Sequence, residues 1–256
     1  MKPKALVFSG YGFNCEEELA FAFERAGARA DIIHINDLIE RPALLLRHQI
    51  AAFPGGFAYG DDTGSGNAYA RKVRNHLWDK LRAFISRDGL VLGVCNGFQV
   101  LVRLGLLGPV ALLPNDSARY TVRWTDVQNN SASPWLANIT KLMLPIAHGE
   151  GKLYASDKTL TVMKKKKMIA LKYIQGEICT HLSLAANPTG TIEDIAGITD
   201  ETGRVFGLMP HPERATFFTQ LPHWTYLKEQ LQREGKPIPK YGPGLKIFEN
   251  AVQYFA

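Results

Sequence analysis

The sequence predicts an α/β protein in which an open, mostly parallel sheet is flanked by helices and carries an added antiparallel β region. In the first hundred residues, short apolar runs alternate with segments of helical period, which is the pattern of βαβ units. From residue 119 onward, several segments alternate apolar and polar residues, as half-exposed antiparallel strands do. Because neither an internal repeat nor a long linker interrupts the 256 residues, we expect one domain over residues 1–256, with a helical tail over residues 217–256.

The N-terminal part predicts four strands that alternate with helices. In the first helix, apolar residues recur at i, i+3, i+4 and i+7 from Leu19, which gives the helix one face to bury. Asn14 is suited to cap its start, and Gly27 is suited to end it. The predicted strands cover residues 5–8, 31–35, 49–53 and 89–94, and the later helices cover 38–47, 67–87 and 98–107.

The C-terminal part predicts antiparallel strands followed by the tail. A hairpin is expected from residues 159–163 and 168–174, with Lys164 to Lys167 in its solvated loop. A turn is expected at 200–203, and three prolines break the tail between Gly235 and Gly244. The other predicted strands cover residues 119–128, 141–146, 177–182, 195–199 and 205–209.

Composition favours an ordinary globular protein that binds no nucleic acid. The sequence is 46% hydrophobic and 21% charged, and its formal charge is +6. A nucleic-acid binder would concentrate its basic residues on one face or helix, whereas the only dense cluster here is Lys164 to Lys167. A docking surface for an acidic partner or a phosphate is the alternative interpretation of that cluster.

The cysteines and the N-terminus predict a cytoplasmic protein. Three scattered cysteines cannot all pair, and they lack the spacing of a metal site or a disulfide framework, which suits a reducing compartment. Residues 1–4 lead directly into the first strand without the apolar region of a signal peptide. No apolar run is long enough to span a membrane, so we expect no membrane partner.

The segment Gly93-Val94-Cys95-Asn96-Gly97 has the pattern of a nucleophile elbow with cysteine in place of serine. It closes a predicted strand and opens a predicted helix, and small flanking residues let the chain turn sharply enough to expose the nucleophile. The helix N-terminus also favours the reactive thiolate. We therefore predict that Cys95 is a catalytic nucleophile.

His211 and Glu213 are the predicted partners of Cys95. They follow a predicted strand, and the carboxyl ends of strands in an open α/β sheet form the ligand crevice. A histidine there can exchange protons with the thiol, while a carboxylate orients the imidazole. The alternative is that Pro210-His211-Pro212-Glu213 is only a turn before a helix.

Two backbone N–H groups are predicted to stabilise an oxyanion. Pro54-Gly55-Gly56-Phe57 follows the third strand, so the Gly56 N–H can face the crevice, and Asn96 is the residue after the nucleophile. A tight loop is the simpler interpretation of the glycine pair alone. Since the chain lacks the P-loop and dinucleotide fingerprints, we expect no nucleotide cofactor here.

Other histidines and cysteines offer weaker hypotheses. Cys15 also lies at a strand-to-helix connection, but three neighbouring glutamates disfavour a thiolate and no glycine-flanked elbow surrounds it. Cys179 is most simply a small packed side chain. A metal site is a possible interpretation of the segment His148-Gly149-Glu150-Gly151, with His181 further along the chain. The helical spacing of a zinc site is absent, however. We therefore predict no metal site, and substrate contacts at His148 and Gly149.

Five segments together resemble the class I, or triad, glutamine amidotransferases, which have a flavodoxin-like fold. More narrowly, the chain resembles the family of glutaminase subunits of phosphoribosylformylglycinamidine synthase. The matching segments span most of the chain up to residue 215. They are Gly12-Phe13-Asn14-Cys15-Glu16, Pro54-Gly55-Gly56-Phe57-Ala58-Tyr59-Gly60-Asp61, Gly93-Val94-Cys95-Asn96-Gly97-Phe98-Gln99, Pro145-Ile146-Ala147-His148-Gly149-Glu150-Gly151 and Gly207-Leu208-Met209-Pro210-His211-Pro212-Glu213-Arg214-Ala215.

The resemblance implies a single amidotransferase domain that releases ammonia from glutamine. Cys95 would attack the side-chain amide, His211 would move the proton, Glu213 would orient His211, and Gln99 would contact the bound glutamine. The ammonia would pass to a larger synthetase subunit, which uses ATP and magnesium to convert formylglycinamide ribonucleotide to the amidine. This chain itself would need no cofactor, and a small accessory subunit would complete the assembly.

Two other functions are compatible with parts of the sequence. A stand-alone cysteine hydrolase would use the same residues to cleave γ-glutamyl or peptide amides without passing ammonia to a partner. A non-catalytic, redox-sensing flavodoxin-like protein would need only an oxidisable Cys95. A sensor needs neither the His-Glu pair nor a second glycine loop, which favours the amidotransferase.

Overall fold

The computed structural model describes residues 2–256, so Met1, which the predicted domain includes, lies outside the described residues. The elements up to the elbow alternate between strand and helix, as predicted. They are β1 (Lys4–Ser9), α1 (Glu16–Arg25), β2 (Arg29–His34), α2 (Ile35–Glu40), β3 (Ile50–Phe53), α3 (Asn67–His76), α4 (Trp78–Ser86), β4 (Leu90–Val94) and α5 (Asn96–Arg103).

The elements after the elbow are mainly strands, followed by two tail helices. They are β5 (Ala111–Leu113), β6 (Thr121–Asn129), β7 (Lys141–His148), β8 (Lys152–Tyr154), α6 (Asp157–Lys165), β9 (Ile169–Ile174), α7 (Glu177–His181), β10 (Ile195–Thr199), β11 (Val205–Leu208), α8 (Trp224–Arg233) and α9 (Leu245–Gln253). Strands β5 and β8 form a separate antiparallel pair.

The main sheet has nine strands in the order β2-β1-β3-β4-β11-β10-β9-β6-β7. The first five strands of that order are parallel, and the remaining neighbours pair antiparallel. This confirms the predicted parallel sheet with an antiparallel extension. Every residue of β3, β4 and β11 is buried, which requires cover on both faces of the sheet.

Two strands that are far apart in sequence are neighbours at the centre of this sheet. β4 and β11 run parallel and in register, with Val94 opposite Leu208. Their carboxyl ends therefore reach the same edge of the sheet, and the chain segments that follow them begin side by side. The register alone brings Cys95 and the His211 segment to one place.

Two segments that were predicted as strands are helices, so those predictions were wrong. Residues 159–163, predicted as one strand of a hairpin, lie in α6 together with Lys164 and Lys165 of its predicted loop. The Ser156 side chain caps this helix at the Thr159 N–H, and the helix buries Leu160 and Met163 one turn apart. Residues 177–182, predicted as a strand, contain α7. Its first N–H groups donate to the buried carboxylate of Asp126 on β6, a cap that comes from a distant part of the chain.

Three predicted helices differ in their bounds, and one predicted helix cap is absent. The helix predicted over 98–107 is α5, which covers Asn96–Arg103. The predicted helix over 38–47 is interrupted at Pro42, so α2 ends at Glu40 and a 3₁₀ turn follows. The helix over 67–87 is divided at Leu77 into α3 and α4. Asn14 does not cap α1, because Cys15 occupies the N-cap position and makes no side-chain cap bond. In the tail, the predicted break before α9 is confirmed.

Within residues 2–256, no helix combines the length and the apolar character that a membrane crossing requires.

Replacement of Gly97 tests how tightly the elbow helix is packed. A Cβ on Gly97 would overlap the Phe53 carbonyl of β3, so α5 would have to move away from the sheet. We expect Gly97→Ala to lower the free energy of unfolding by about 1–3 kcal/mol, measured by urea denaturation. Gly149→Ala is the matched control, because its Cβ would meet only Tyr120 at 3.8 Å. Equal losses in the two variants would contradict this account.

Candidate active site

Cys95 lies on a strained turn between β4 and α5. Its φ of +51° and ψ of −106° form a combination that side-chain-bearing residues rarely adopt. Its N–H donates to the Leu208 carbonyl at 2.8 Å, which ties the turn to the end of β11. A Cβ on Gly93 would stand 2.7 Å from the Gly97 carbonyl oxygen, so this turn needs glycine on its strand side. Cys95 is 6% exposed and lines a small cavity.

His211 and Glu213 form a buried pair just beyond β11. His211 Nδ1 and Glu213 Oε1 are 2.5 Å apart, and the two residues are 2% and 3% exposed. Burial disfavours the imidazolium, but the charge of the Glu213 carboxylate, together with contributions from Cys95 and Cys15, outweighs it and holds the pKa of His211 well above its usual range. His211 Nε2 has no hydrogen-bond partner within residues 2–256. Glu213 therefore orients the ring and leaves one nitrogen for a reacting group.

Gly56 and Asn96 carry the two backbone N–H groups that were predicted to stabilise an oxyanion. Neither N–H donates a hydrogen bond inside the described part of the chain. Gly56 has a φ of +150°, and a Cβ there would stand 2.6 Å from the Gly12 carbonyl oxygen, so only glycine fits. The Asn96 side chain accepts from the Ala58 N–H at 3.0 Å and holds the glycine-rich loop against α5. Both donors are thus free to bind a developing negative charge.

The cavity beside Cys95 has a volume of about 140 Å³. All three residues predicted to contact substrate, Gln99, His148 and Gly149, line it. The side chain of Gln99 is already held, because it donates to the Glu150 carbonyl at 2.7 Å and accepts from Asn96 at 2.8 Å. Larger grooves beside α1 and α8 have volumes of about 760 and 710 Å³. The groove beside α1 is lined in part by Glu213, but Cys95 lines neither groove. We therefore take the smaller cavity at Cys95 as the candidate substrate site.

His148 is buried in the cavity wall without a hydrogen-bond partner for either ring nitrogen in the described residues. Burial, reinforced by the charge of His211, lowers its pKa to about 3, so the ring stays neutral near pH 7. A Cβ on Gly151 would overlap this ring, so the second glycine of the motif is needed to accommodate His148. A neutral imidazole with two unpartnered nitrogens is suited to bind a polar ligand.

Asn115 and Tyr120 hold the cavity wall in place, although neither residue was predicted from the sequence to belong to the site. Asn115 donates from its side chain to the His148 carbonyl at 2.8 Å and accepts from the Gly151 N–H at 3.1 Å. Tyr120 donates to the Ala147 carbonyl at 2.7 Å and lines the cavity. Neither lies in a segment with a recognisable motif, so no local pattern could have identified them.

Cys15 lies at the same site, which its sequence context does not predict. The Cys15 sulfur lies close to His211 and Glu213, and the ligand atoms of these three side chains are all within 4.8 Å of one another. Within residues 2–256, this is the one group of at least three side chains able to bind a metal that lie so close together. His148 and Glu150, the residues of the alternative metal hypothesis, are not in that group. Cys15 lies at the N-cap of α1 with φ of −114°, so it lacks the strained elbow geometry of Cys95.

Two further sequence features lie outside the cavity. Cys179 is buried on α7 rather than on a strand, and the prediction that it is a packed side chain agrees with its position. In the lysine cluster, Lys164 forms an ion pair with Glu193 and Lys166 with Glu201, on the surface around the end of α6. Exposed pairs of this kind contribute little to stability.

Comparison with known proteins identifies the class of the fold and site. The family model described as "CobB/CobQ-like glutamine amidotransferase domain" matches residues 2–255. The chain therefore belongs to the family of CobB/CobQ-like glutamine amidotransferase domains.

Similar proteins define the family more narrowly. The phosphoribosylformylglycinamidine synthase subunit PurQ of Methanococcus maripaludis is 46% identical and covers 99% of this chain and 97% of the relative. The PurQ subunit of Dehalococcoides mccartyi is 42% identical, with 99% and 98% covered. A chain in the structure of PurLQS from Thermotoga maritima is 29% identical, with a TM-score of 0.74 and 100% of both chains covered. The chain belongs to the PurQ family of phosphoribosylformylglycinamidine synthase subunits.

The neutral state of buried His148 predicts a pH-dependent difference in stability. Below its unfolded-state pKa of about 6.5, the unfolded chain protonates this histidine while the folded chain, with a pKa of about 3, does not. Between pH 6 and 4, His148 should therefore lower the free energy of unfolding by about 1.4 kcal/mol for each unit of falling pH.

We expect His148→Gln to remove that slope from urea denaturation curves measured across this pH range. His76→Gln, which replaces an exposed histidine on α3, is the control and should leave the slope as it is in the wild type. Parallel pH profiles for wild type and His148→Gln would show that His148 is protonated in the folded protein.

Proposed function

We propose that this chain hydrolyses glutamine to glutamate and ammonia through Cys95, His211 and Glu213. It thereby supplies ammonia for the conversion of formylglycinamide ribonucleotide to formylglycinamidine ribonucleotide in purine biosynthesis. The observation that carries the proposal is the parallel register of β4 and β11, which brings the strained cysteine and the buried His-Glu pair to one edge of the sheet. Full-length similarity to PurQ subunits supports the same reaction.

Cys95 and His211 carry the first half of the proposed reaction. The Cys95 thiolate attacks the side-chain amide carbon of glutamine, and the N–H groups of Gly56 and Asn96 bind the oxyanion of the tetrahedral intermediate. The C–N bond then breaks, and the imidazolium of His211 donates its Nε2 proton to the leaving nitrogen, which departs as ammonia. The raised pKa of His211 suits this step, because the ring is charged when the proton is needed.

Water completes the proposed reaction. Neutral His211 removes a proton from a water molecule that attacks the thioester, and collapse of the second tetrahedral intermediate releases glutamate and restores the thiolate and the imidazolium. Glu213 holds the same ring orientation for both steps. We assign Gln99, His148 and Gly149 to contacts with the amino acid part of the substrate, because they line the same cavity as Cys95. No step on this chain calls for a metal or an organic cofactor.

The ammonia is consumed by a larger synthetase subunit that uses ATP and magnesium. The names of the relatives and the match to a chain of PurLQS support such an assembly, in which we include a small accessory subunit. We further propose that residues 1–256 act as one amidotransferase domain, with residues 217–256 as its helical tail, and that the assembly works in the cytoplasm.

Single substitutions in the triad test the hydrolytic step. We expect Cys95→Ala to release no ammonia above background from glutamine, because no thioester can form. Glu213→Gln should lower kcat on the order of 10⁴-fold, because the imidazolium loses its buried countercharge and its fixed orientation. Cys179→Ala is the control for loss of a buried thiol and should remain active. An active Cys95→Ala variant would overturn the proposal.

Reconstitution with the synthetase tests the transfer of ammonia. The wild-type chain should co-purify with the synthetase subunit of the same cell and support glutamine-dependent amidation of the ribonucleotide in the presence of ATP and magnesium. With Cys95→Ala, glutamine should fail but an ammonium salt should restore amidation. Hydrolysis of γ-glutamyl peptides by the isolated chain, unaffected by the synthetase, would instead indicate a stand-alone hydrolase.

A further inference from the structure

Cys15 is a buried thiol in contact with the residue that follows the triad glutamate. It is 1% exposed, and its sulfur accepts a hydrogen bond from Arg214 Nη2 at 2.9 Å. The thiol also donates to Asn14 Oδ1 at 3.3 Å, and its backbone N–H donates to the Gly55 carbonyl. The loop before α1 thus holds this sulfur in a fixed position beside the catalytic pair.

Arg214 is the only guanidinium adjacent in sequence to the triad, yet it makes no ion pair with Glu213. Its one side-chain hydrogen bond within residues 2–256 is the bond to Cys15. The ion pairs of the described residues join Glu213 to His211 alone. Glu213 nevertheless has a free acceptor, because its Oε2 is buried without a hydrogen-bond partner. A flexible cation therefore lies next to a buried, half-satisfied carboxylate without binding it.

An Arg214–Glu213 ion pair would impair the triad. A guanidinium on Oε2 would neutralise the carboxylate, and the imidazolium of His211 would lose the countercharge that stabilises it inside the protein. The same pairing would pull Glu213 away from the Nδ1 side of the ring. Something must therefore keep the guanidinium elsewhere, and the structure shows one side-chain acceptor that does so.

We propose that Cys15 is a positioning residue for the proposed glutamine hydrolysis: its sulfur holds the Arg214 guanidinium away from Glu213, so that the carboxylate serves His211 alone. The inference rests on the proposed function, because it assigns Cys15 a role in the triad rather than a role as nucleophile. It also accounts for a buried cysteine that the mechanism does not otherwise use.

In the pH profile of kcat/KM, the fall in activity on the alkaline side, the alkaline limb, reports loss of the proton from His211. Six groups that titrate or carry charge act on this ring or lie beside it, and they come from several elements of the fold. They are Glu213, Arg214, Cys15, Cys95, His148 and Tyr120. Removal of the Cys15 sulfur acts on the ring in two ways, because Cys15 itself contributes to the raised pKa of His211 and also holds Arg214.

Variants of Cys15 and Arg214 separate this role from simple packing. In the complex with the synthetase subunit, Cys15→Ala should shift the alkaline limb of glutaminase activity to lower pH by about one unit, because Arg214 then turns to Glu213. Cys15→Ser should keep the wild-type profile, because a hydroxyl also accepts from the guanidinium. The double variant Cys15→Ala/Arg214→Met also lacks the direct effect of Cys15 on His211 but has no guanidinium, so its limb should lie between those of Cys15→Ala and the wild type.

The double variant is decisive, because it has the same small cavity as Cys15→Ala but no guanidinium. If the double variant keeps the full shift of Cys15→Ala, or if Cys15→Ala lowers kcat without moving the limb, the proposal is wrong, because the position of Arg214 then has no effect on His211. NMR titration of the His211 ring in Cys95→Ala, with and without Cys15→Ala, gives the same comparison without activity. A wild-type complex with no Cys95-dependent glutaminase would refute the proposed function, and the NMR shift would still test the role of Cys15.

Discussion

The parallel pairing of β4 with β11 is the constraint on which the site depends. These strands are separated by more than a hundred residues of sequence, but their in-register pairing ends both at one edge of the sheet. The hydrogen bond from Cys95 N–H to the Leu208 carbonyl extends that pairing by one residue into the turn. The segments that carry Cys95 and the His-Glu pair therefore start from strand ends that backbone hydrogen bonds of the buried core hold side by side.

Close packing around the turn explains why the backbone tolerates its strain. Gly97 lies against the Phe53 carbonyl of β3, and Gly93 lies against the first turn of α5, so strand and helix approach more closely than side chains would allow. This close packing holds Cys95 in its unusual backbone conformation. The strain holds the sulfur at the cavity, at the N-terminus of a helix, where a thiolate is favoured.

Two buried histidines in the same site have opposite protonation behaviour, and the difference arises from their neighbours. His211 has the carboxylate of Glu213 on one nitrogen, and the carboxylate outweighs the cost of burying a charge. His148 has no partner on either nitrogen, so burial dominates and the ring stays neutral. One ring is thus suited to proton transfer and the other to contact with a neutral or polar group.

The sequence by itself determined those elements whose conformation depends on neighbouring residues in the chain. Three such features were predicted: the apolar period of α1, the glycine-flanked cysteine after β4 and the His-Pro-Glu segment after β11. Each can be recognised within a short window of sequence, because the residues that define it are close together in the chain. Only the tertiary structure decided what depends on distant partners. Residues 177–181 are a helix because Asp126 of β6 caps their N–H groups, Asn115 holds the His148 segment, and Cys15 meets Arg214 across almost two hundred residues. Contacts of this kind arise from the order of strands in the sheet, and no local window of sequence contains that order.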